Sequence, residues 1–381
     1  MALRVDHSLA EEIARFGGFK SHECFNCGNC TAVCELAEEP AVFPRRAIRR
    51  IQVGDRTFVR HSLEPWLCYY CGDCSRTCPR QADPGELMMA ARRFLTAEYD
   101  WTGLSRRLFL SKGWQIAVSL IAAGVVVLFF ALSGAFSAER MVTERVSMNT
   151  FIPAHWVHTA DMVLAGVLGG LLLINAGRMY RFAMRSVKGV AIPFFLYLLE
   201  LKTFVLHFFT QLRWRTCESR IRWIKHLSLV AAYLTMAILV EIFLVTFQRN
   251  TSAFHFTSIF GYIATVILLY YCVDALIGRL RRKEELYKYS QPMDWLFLLQ
   301  LLLTSLTGLA VNVFRTLDLP MAAYIGYVVH LCVAVSMLVV QVPFGKWSHL
   351  LYRPLAIYLN GVRERALQLA ESRAPSATRA A

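Results

Sequence analysis

Apolar residues arrive along the chain in six long blocks, at about 113–133, 154–177, 226–247, 256–278, 294–314 and 322–344. At about 1.5 Å of rise per helical residue, each block reaches across the roughly 30 Å hydrocarbon layer of a bilayer, so each predicts a membrane-spanning helix. A seventh stretch, 192–212, contains Glu200, Lys202 and His207 and runs into a basic segment. That mixture predicts an interfacial or re-entrant helix rather than a crossing one. Ahead of the first block the pattern changes. Leu9-x3-Ile13-x2-Phe16 and Leu87-x6-Phe94-Leu95 have helical apolar spacing, and the cysteine-bearing segment between them reads as loop-rich. Residues 98–112, with Trp101, Arg106, Arg107 and Lys112, lead into the first block at headgroup level. The prediction is a mainly α chain. A small helical domain occupies 1–112, a six-helix transmembrane bundle 113–360, and a disordered cytoplasmic tail 361–381, whose last residues are small, basic and Pro-containing.

Composition agrees, since 56% of the residues are hydrophobic, more than a soluble core of this length needs. Charge adds sidedness. Residues 1–112 carry 16 Lys/Arg against 14 Asp/Glu, so nearly all of the net +14 belongs to the membrane part. There the positive charge flanks apolar blocks instead of forming a patch interleaved with aromatics, which sets nucleic-acid binding aside. Three connecting segments are rich in Lys/Arg: 178–191 (Arg178, Arg181, Arg185, Lys188), 213–225 (Arg213, Arg215, Arg220, Arg222, Lys225) and 279–293 (Arg279, Arg281, Arg282, Lys283, Lys288). Segments 134–153 (Arg140, Arg145), 248–255 (Arg249) and 315–321 (Arg315) are poor. Six spans place all the rich segments, the N-terminal domain and the tail on one side, which the positive-inside rule identifies as the cytoplasm of an inner membrane. A crossing at 192–212 would invert the second half.

The candidate chemistry begins with Cys24-x2-Cys27-x2-Cys30-x3-Cys34 and Cys68-x2-Cys71-x2-Cys74-x3-Cys78-Pro79. Three thiolates within seven residues wrap one cubane, and the fourth, carried onto the next turn, ligates the neighbouring one. Two [4Fe-4S] clusters are expected: a first on Cys24, Cys27, Cys30 and Cys78, and a second on Cys68, Cys71, Cys74 and Cys34. Structural zinc would take the cysteines in pairs and leave the middle thiol of each triplet idle. Disulfides suit neither so dense a thiol set nor a chain whose first long apolar run begins near Gly113, with no signal-like run before it. Cys217, Cys272 and Cys332 stand alone near or within apolar stretches and read as packing residues.

A membrane domain that continues two clusters needs a further electron carrier, and haem b held by imidazoles of two helices is the economical one. His226 opens the third block and His349 closes the sixth on the same side, so they form the expected pair. His330 lies about eight residues into the sixth block, roughly two dozen ångströms from His349 along a helix. It would serve a second, outer haem with His158 or Met236 as partner. Each membrane histidine has an alternative as an interhelical hydrogen bond; His155, His207 and His255 are read that way rather than as ligands. Quinol oxidation releases two protons with its two electrons, so a quinone site needs a proton acceptor beside an apolar slot. Asp161 and Glu241 are the candidates towards the outer leaflet, and Glu200, Lys202 and His207 make a rival set at the inner face. Asp274 lies near the cytoplasmic end of the fourth block. For all these groups polar pairing between helices is an equal alternative. Arg178, Arg181 and Arg222 are read as topology determinants rather than haem-propionate anchors.

With these residues in view, two resemblances emerge. Cys24–Cys34, Pro44-Arg45-Arg46-Ala47-Ile48-Arg49, Ser62-Leu63, Trp66-Leu67-Cys68 and Cys74-x3-Cys78-Pro79 resemble the ferredoxin-like C subunits of heterodisulfide reductases over about the first 100 residues. His207-x9-Cys217-x4-Arg222-Trp223-x2-His226, and His330 with Pro343-Phe344-x4-His349, resemble the haem-b membrane subunits of the nitrate reductase gamma family. That family has a second histidine ten residues after the first; here Met236 stands in its place. The fused pair is similar to the C subunits of quinone-interacting membrane-bound oxidoreductases (Qmo). The resemblance implies flavin and iron-sulfur partners similar to the A subunits of heterodisulfide reductases, a quinone such as menaquinone as substrate, and electron exchange with adenylylsulfate reductase in sulfate or sulfur metabolism. The expected function is therefore membrane electron transfer through one or two haems b and two [4Fe-4S] clusters. The alternatives are the equivalent subunit of another heterodisulfide-reductase-like or sulfite-pathway complex, and a haem-free iron-sulfur anchor. The chain shows no Gly-rich dinucleotide fingerprint and no nucleophile beside a base, so chemistry on a final substrate is expected in partners.

Overall fold

The computed structural model describes residues 5–17, 20–38, 42–187, 189–217, 220–248, 250 and 254–373. Among the described residues there is no strand, and nine helices have at least 16 residues. They are α1 (Pro84–Tyr99), α2 (Lys112–Leu132), α3 (Ala154–Met184), α4 (Phe194–Thr210), α5 (Arg220–Phe247), α6 (Thr257–Arg281), α7 (Pro292–Thr316), α8 (Pro320–Gln341) and α9 (His349–Arg373). Six of these, α2, α3, α5, α6, α7 and α8, are long and apolar enough to cross a membrane. Leu120, Ile121, Val125 and Leu128 on α2, and Phe260, Ile263 and Val266 on α6, remain exposed. So broad an apolar belt is what helices solvated by lipid present.

The stretch expected to lie along the surface is α4, which pairs with α9 instead of joining the bundle as a span. Leu196 packs on Val362 and Ala366. Buried Glu200 receives the Arg365 guanidinium and the Thr203 hydroxyl, and the Tyr358 hydroxyl donates to the Tyr197 carbonyl at 3.2 Å. The other face, with Phe194, Phe195, Leu198, Leu201 and Phe209, is exposed. A helix with one face on protein and an apolar face left open suits the membrane interface.

Helix α3 has 31 residues, about 47 Å at 1.5 Å per residue, well beyond a roughly 30 Å hydrocarbon layer. Its surplus turns project towards the N-terminal domain. Ala176, Met179 and Ala183 share one core with Leu9, Ile13, Ile48, Trp66, Leu87 and Phe94 of that domain and with Tyr352, Ala356 and Leu359 of α9. Trp66 and Tyr99 both meet the Tyr352 ring edge-on, at 5.2 and 5.6 Å.

All three basic segments lie at this end. Arg178 donates to the carbonyls of Tyr99 (2.7 Å) and Glu98 (3.1 Å), Arg222 to that of Cys71 (3.2 Å), and Lys288 pairs with Asp83 at 3.5 Å. The basic-poor segments meet at the other end, where Asp318 accepts from the Val146 amide and Asn250 from the Asn149 amide, both at 2.7 Å. Lys188 and Arg249 lie outside the described residues.

Two expectations are corrected. The sixth span ends at Gln341 and the chain turns before α9, so His349 opens a new helix rather than closing the span, and a depth reckoned along one helix from His330 does not apply. Residues 361–373, expected in a disordered tail, continue α9 to Arg373. Their composition is polar, but Val362 and Ala366 are fully buried against α4, and that burial supplies what local sequence does not. Residues 374–381 lie outside the described residues.

The two domains are also joined by buried charge. Arg93 of α1 bridges Glu86 at 2.9 Å and Asp294, on the first turn of α7, at 3.3 Å. Lys346 reaches Asp294 from the other side at 2.9 Å, and the Gln291 amide donates to the same carboxylate at 3.1 Å, capping α7. Removing one member of such a set strands its partners. Asp294→Asn, which keeps the shape and deletes the charge, is expected to cost about 3–5 kcal/mol. Thermal unfolding of the purified protein should show a lower midpoint, together with easier proteolytic release of the N-terminal domain.

Candidate redox centres

The two cysteine runs fold alike, 44 residues apart. The residue before the second cysteine has positive φ (Asn26 57°, Tyr70 56°), as does the glycine after it (Gly28 90°, Gly72 94°). A four-residue helix follows, Asn29–Ala32 or Asp73–Arg76. Only glycine takes that conformation without strain, and at Gly72 a Cβ would also lie 2.7 Å from Glu285 Cβ. These turns aim amides at sulfur: Asn26 N–H at Cys24 Sγ (3.4 Å) and Tyr70 N–H at Cys68 Sγ (3.3 Å), while the Ala82 amide reaches Cys78 Sγ at 3.4 Å. The Asn29 side chain donates to the Thr77 carbonyl at 2.7 Å and ties one run to the other.

The tie brings each fourth cysteine to the opposite triplet. Burial pushes the Cys30 thiol up to about 11, aided by Cys24, Cys27 and Cys78 beside it. Burial likewise pushes Cys34 up to about 12, with Cys68 and Cys71 as neighbours. Cys74 is raised by burial and then by Cys68, Cys71 and Cys34, with Cys30 a lesser neighbour. Thiols so buried give up their protons only to metal. Among the described residues no three His, Cys, Asp or Glu side chains converge on a point one metal ion would fill; a cubane, whose four thiolates sit on separate irons, needs no such point.

The second set, Cys34, Cys68, Cys71 and Cys74, lines a cavity with Phe43, Tyr69 and Cys217. Arginines surround it. Buried Arg92 donates to the carbonyls of Pro65 (2.5 Å) and Cys68, and Arg353, over the Tyr69 ring at 4.4 Å, donates to the same Cys68 carbonyl at 3.4 Å. Burial, with Arg353 alongside, pushes Arg92 down to about 9. Both guanidiniums bind carbonyls, and among the described residues neither has a carboxylate. Two buried cations on one carbonyl call for an anion. A cluster on four thiolates carries net negative charge at that place, so the residues fit it.

Trp214, in the turn Leu212–Thr216, stacks on Tyr69 at 5.4 Å and meets the His226 ring at 5.0 Å. One indole thus separates the second cysteine set from the first membrane histidine. The His226 and His349 rings are 6.1 Å apart, centre to centre; two imidazoles each about 2 Å from a shared metal stand roughly 6 Å apart. His349 Nδ1 donates to the Lys346 carbonyl, leaving Nε2 for a ligand. Burial first, then Arg353, pushes this imidazole well below the usual histidine range, so it stands neutral, as a ligand must. His349 also lines a cavity with His207, Gln211, Tyr233, Leu234 and Arg353. Around it His207 Nδ1, His226 Nδ1, Gln211 Oε1 and Arg353 Nε are buried without partners among the described residues. A facing imidazole pair beside such a cavity fits haem b.

The inner quinone set is dispersed, because Glu200 faces Arg365, Lys202 is exposed and His207 turns to the His349 cavity. The outer haem candidates each have a partner of their own. His158 Nε2 bonds the Glu241 carbonyl at 2.9 Å, His330 Nδ1 bonds the Thr307 hydroxyl at 3.0 Å, and Met236 packs with Leu229 and Tyr233. Gly308 makes room for the His330 ring, 3.0 Å from where a Cβ would stand. Asp161 and Glu241 do stand beside each other and beside His158. Asp274 pairs with Lys225 at 3.0 Å. Arg178 and Arg222 are spent on backbone carbonyls of the N-terminal domain, not at the histidine pair.

Residues 23–82 match the family model of a 4Fe-4S dicluster domain, which spans both cysteine runs. A protein of Archaeoglobus profundus described as like the C subunit of heterodisulfide reductase is 31% identical over 96 residues, 25% of this chain and 51% of that one. The chain thus spans about half the length of that relative. No solved structure matches. The chain is an iron-sulfur electron-transfer protein whose dicluster domain is followed by a membrane-type helical bundle. If the fourth cysteines cross, Cys78→Ser should perturb the cluster of Cys24, Cys27 and Cys30 while sparing the other, and Cys34→Ser should do the reverse. Electron paramagnetic resonance of the reduced variants reads this; loss of the cluster adjacent in sequence would refute crossing.

Proposed function

We propose that this chain is the quinone-reactive membrane subunit of a multisubunit oxidoreductase, exchanging electrons between quinone or quinol in the bilayer and flavin and iron-sulfur partners docked on the N-terminal domain. One observation carries the reading: the His226–His349 pair, 6.1 Å apart, is joined to the second cysteine set through Trp214 and Tyr69. When bound, one haem b and two [4Fe-4S] clusters would supply one-electron centres from the bilayer to the soluble end.

The chain's own residues do the placing. Cys24, Cys27, Cys30 and Cys78 hold the first cluster and Cys34, Cys68, Cys71 and Cys74 the second. The first set is the outward one, with Cys27 exposed and Phe25 beside it 69% exposed, so partners similar to the A subunits of heterodisulfide reductases dock there. His226 and His349 orient the haem, with Lys346 fixing the second ring. Asp161 and Glu241, side by side and next to His158, take up protons from quinol at the far end of the bundle. Both termini face the cytoplasm, as the basic segments gathered on the N-terminal domain indicate. The relative described as like the C subunit of heterodisulfide reductase supports partners of the heterodisulfide reductase kind, and the resemblance to Qmo C subunits favours menaquinol as substrate and adenylylsulfate reductase as the onward partner.

Replacing His226 or His349 by Ala should abolish the Soret band and the pyridine haemochrome signal while leaving iron-sulfur absorbance; full haem content in both variants would sink the assignment and favour an anchor. Asp161→Asn should slow quinol-linked turnover by about 10²-fold, within the range of a lost general base, with haem content unchanged.

A further inference from the structure

Cys217, which follows the turn Leu212–Thr216, does something that its isolation in the sequence conceals. Cys217 is buried and lies against Cys34, Cys68 and Cys71, lining the same cavity as the second ligand set. Its thiol lies beside that of Cys71, with those of Cys68 and Cys34 next. The segment that delivers it is stitched down on either side of that set: Arg213 donates to the Leu36 carbonyl at 3.3 Å, two residues past Cys34, and Trp214 stacks on Tyr69, next to Cys68. The Cys217 amide closes the turn on the Trp214 carbonyl at 3.1 Å. The other two isolated cysteines differ: Cys272 sits among Leu229, Ala264 and Leu268, and Cys332 faces the Ala123 carbonyl at 3.6 Å.

Resting on the cluster reading above, we propose that Cys217 is a fifth, non-ligating thiol of the second cluster site, a positioning residue whose S–H donates to the Cys71 sulfur and raises that cluster's reduction potential. The second set already has its four ligands, three in the run that repeats the first and one crossing from it, so a fifth thiolate has no iron to bind. Beside a metal-bound sulfur, which only accepts, a buried neighbour is stable as a donor. A hydrogen bond to a ligand sulfur favours the more negative, reduced cluster. Because the donor belongs to the membrane part and the acceptor to the dicluster domain, the potential is set only when the two are seated together.

The test uses the full-length protein with its clusters in place. Cys217→Ala and Cys217→Val remove the donor at two sizes, so that packing and hydrogen bonding separate, and Cys217→Ser restores a donor. Potentiometric titration followed by electron paramagnetic resonance should show one of the two cluster potentials lowered in the Ala and Val variants, the other unmoved, and the serine variant near wild type. Iron and sulfide content should be unchanged in all three. Two unmoved potentials would overturn the proposal in favour of packing. Loss of a cluster's iron in both the Ala and Val variants would overturn it in favour of ligation. Haem content decides the broader functional reading and is indifferent to this one.

Discussion

The seam between the cysteine domain and the helical bundle is closed by Arg93, held between Glu86 of its own helix and Asp294 of α7, with Lys346 completing the set. Charges this deeply placed tolerate little displacement, because each is compensated only in one geometry. Around them lies a shared apolar core to which α3 and α9 contribute Met179, Ala183, Tyr352 and Leu359. The domain is therefore not a soluble module on a flexible tether. The seam also sets the inner site: Lys346 presents its carbonyl to His349, so the residue that neutralises Asp294 also orients the proposed haem ligand.

A second consequence concerns where positive charge is spent. Arginines that follow the positive-inside rule as topology determinants have a further use once folded. Arg213, Arg222 and Arg353 all donate to carbonyls of the second cysteine set or its flanks, joined by Arg92 from within the domain. By contrast, the first set lies nearer the surface. The asymmetry leaves one cysteine set ringed by cations beside the helical bundle and the other solvent-facing, and burial, charge and hydrogen bonds are the terms that set cluster potentials.

How far each site was legible follows from the range of the interactions that build it. Both cysteine runs are local: three ligands within seven residues and a glycine where φ must be positive. The spans were legible because roughly 20 apolar residues in a row have few other uses, and α4 betrayed itself by Glu200, Lys202 and His207. That His226 and His349 come together could be reasoned from depth alone, although the break in the helix between Gln341 and His349 could not. His330 and His158 were chosen by the same logic, and the folded chain gives them separate partners, since depth does not say which neighbours a helix has. Cys217 read as a packing residue because nothing near it in sequence says that Cys71 will lie against it.

What the amino-acid sequence determined alone was the set of periodic and closely spaced features: six helices long and apolar enough to cross a membrane, two cysteine runs of a dicluster domain and the segments in which positive charge collects. These depend on hydrophobic length and on chain geometry over a few residues, which no later packing alters. Tertiary structure alone decided which distant groups meet: Arg93 with Asp294, Trp214 with Tyr69, Cys217 on Cys71, and the polar last turns of α9 held helical by α4. Those contacts join residues from about 145 to 200 positions apart, and burial of the whole core is what makes them favourable, so no local segment announces them.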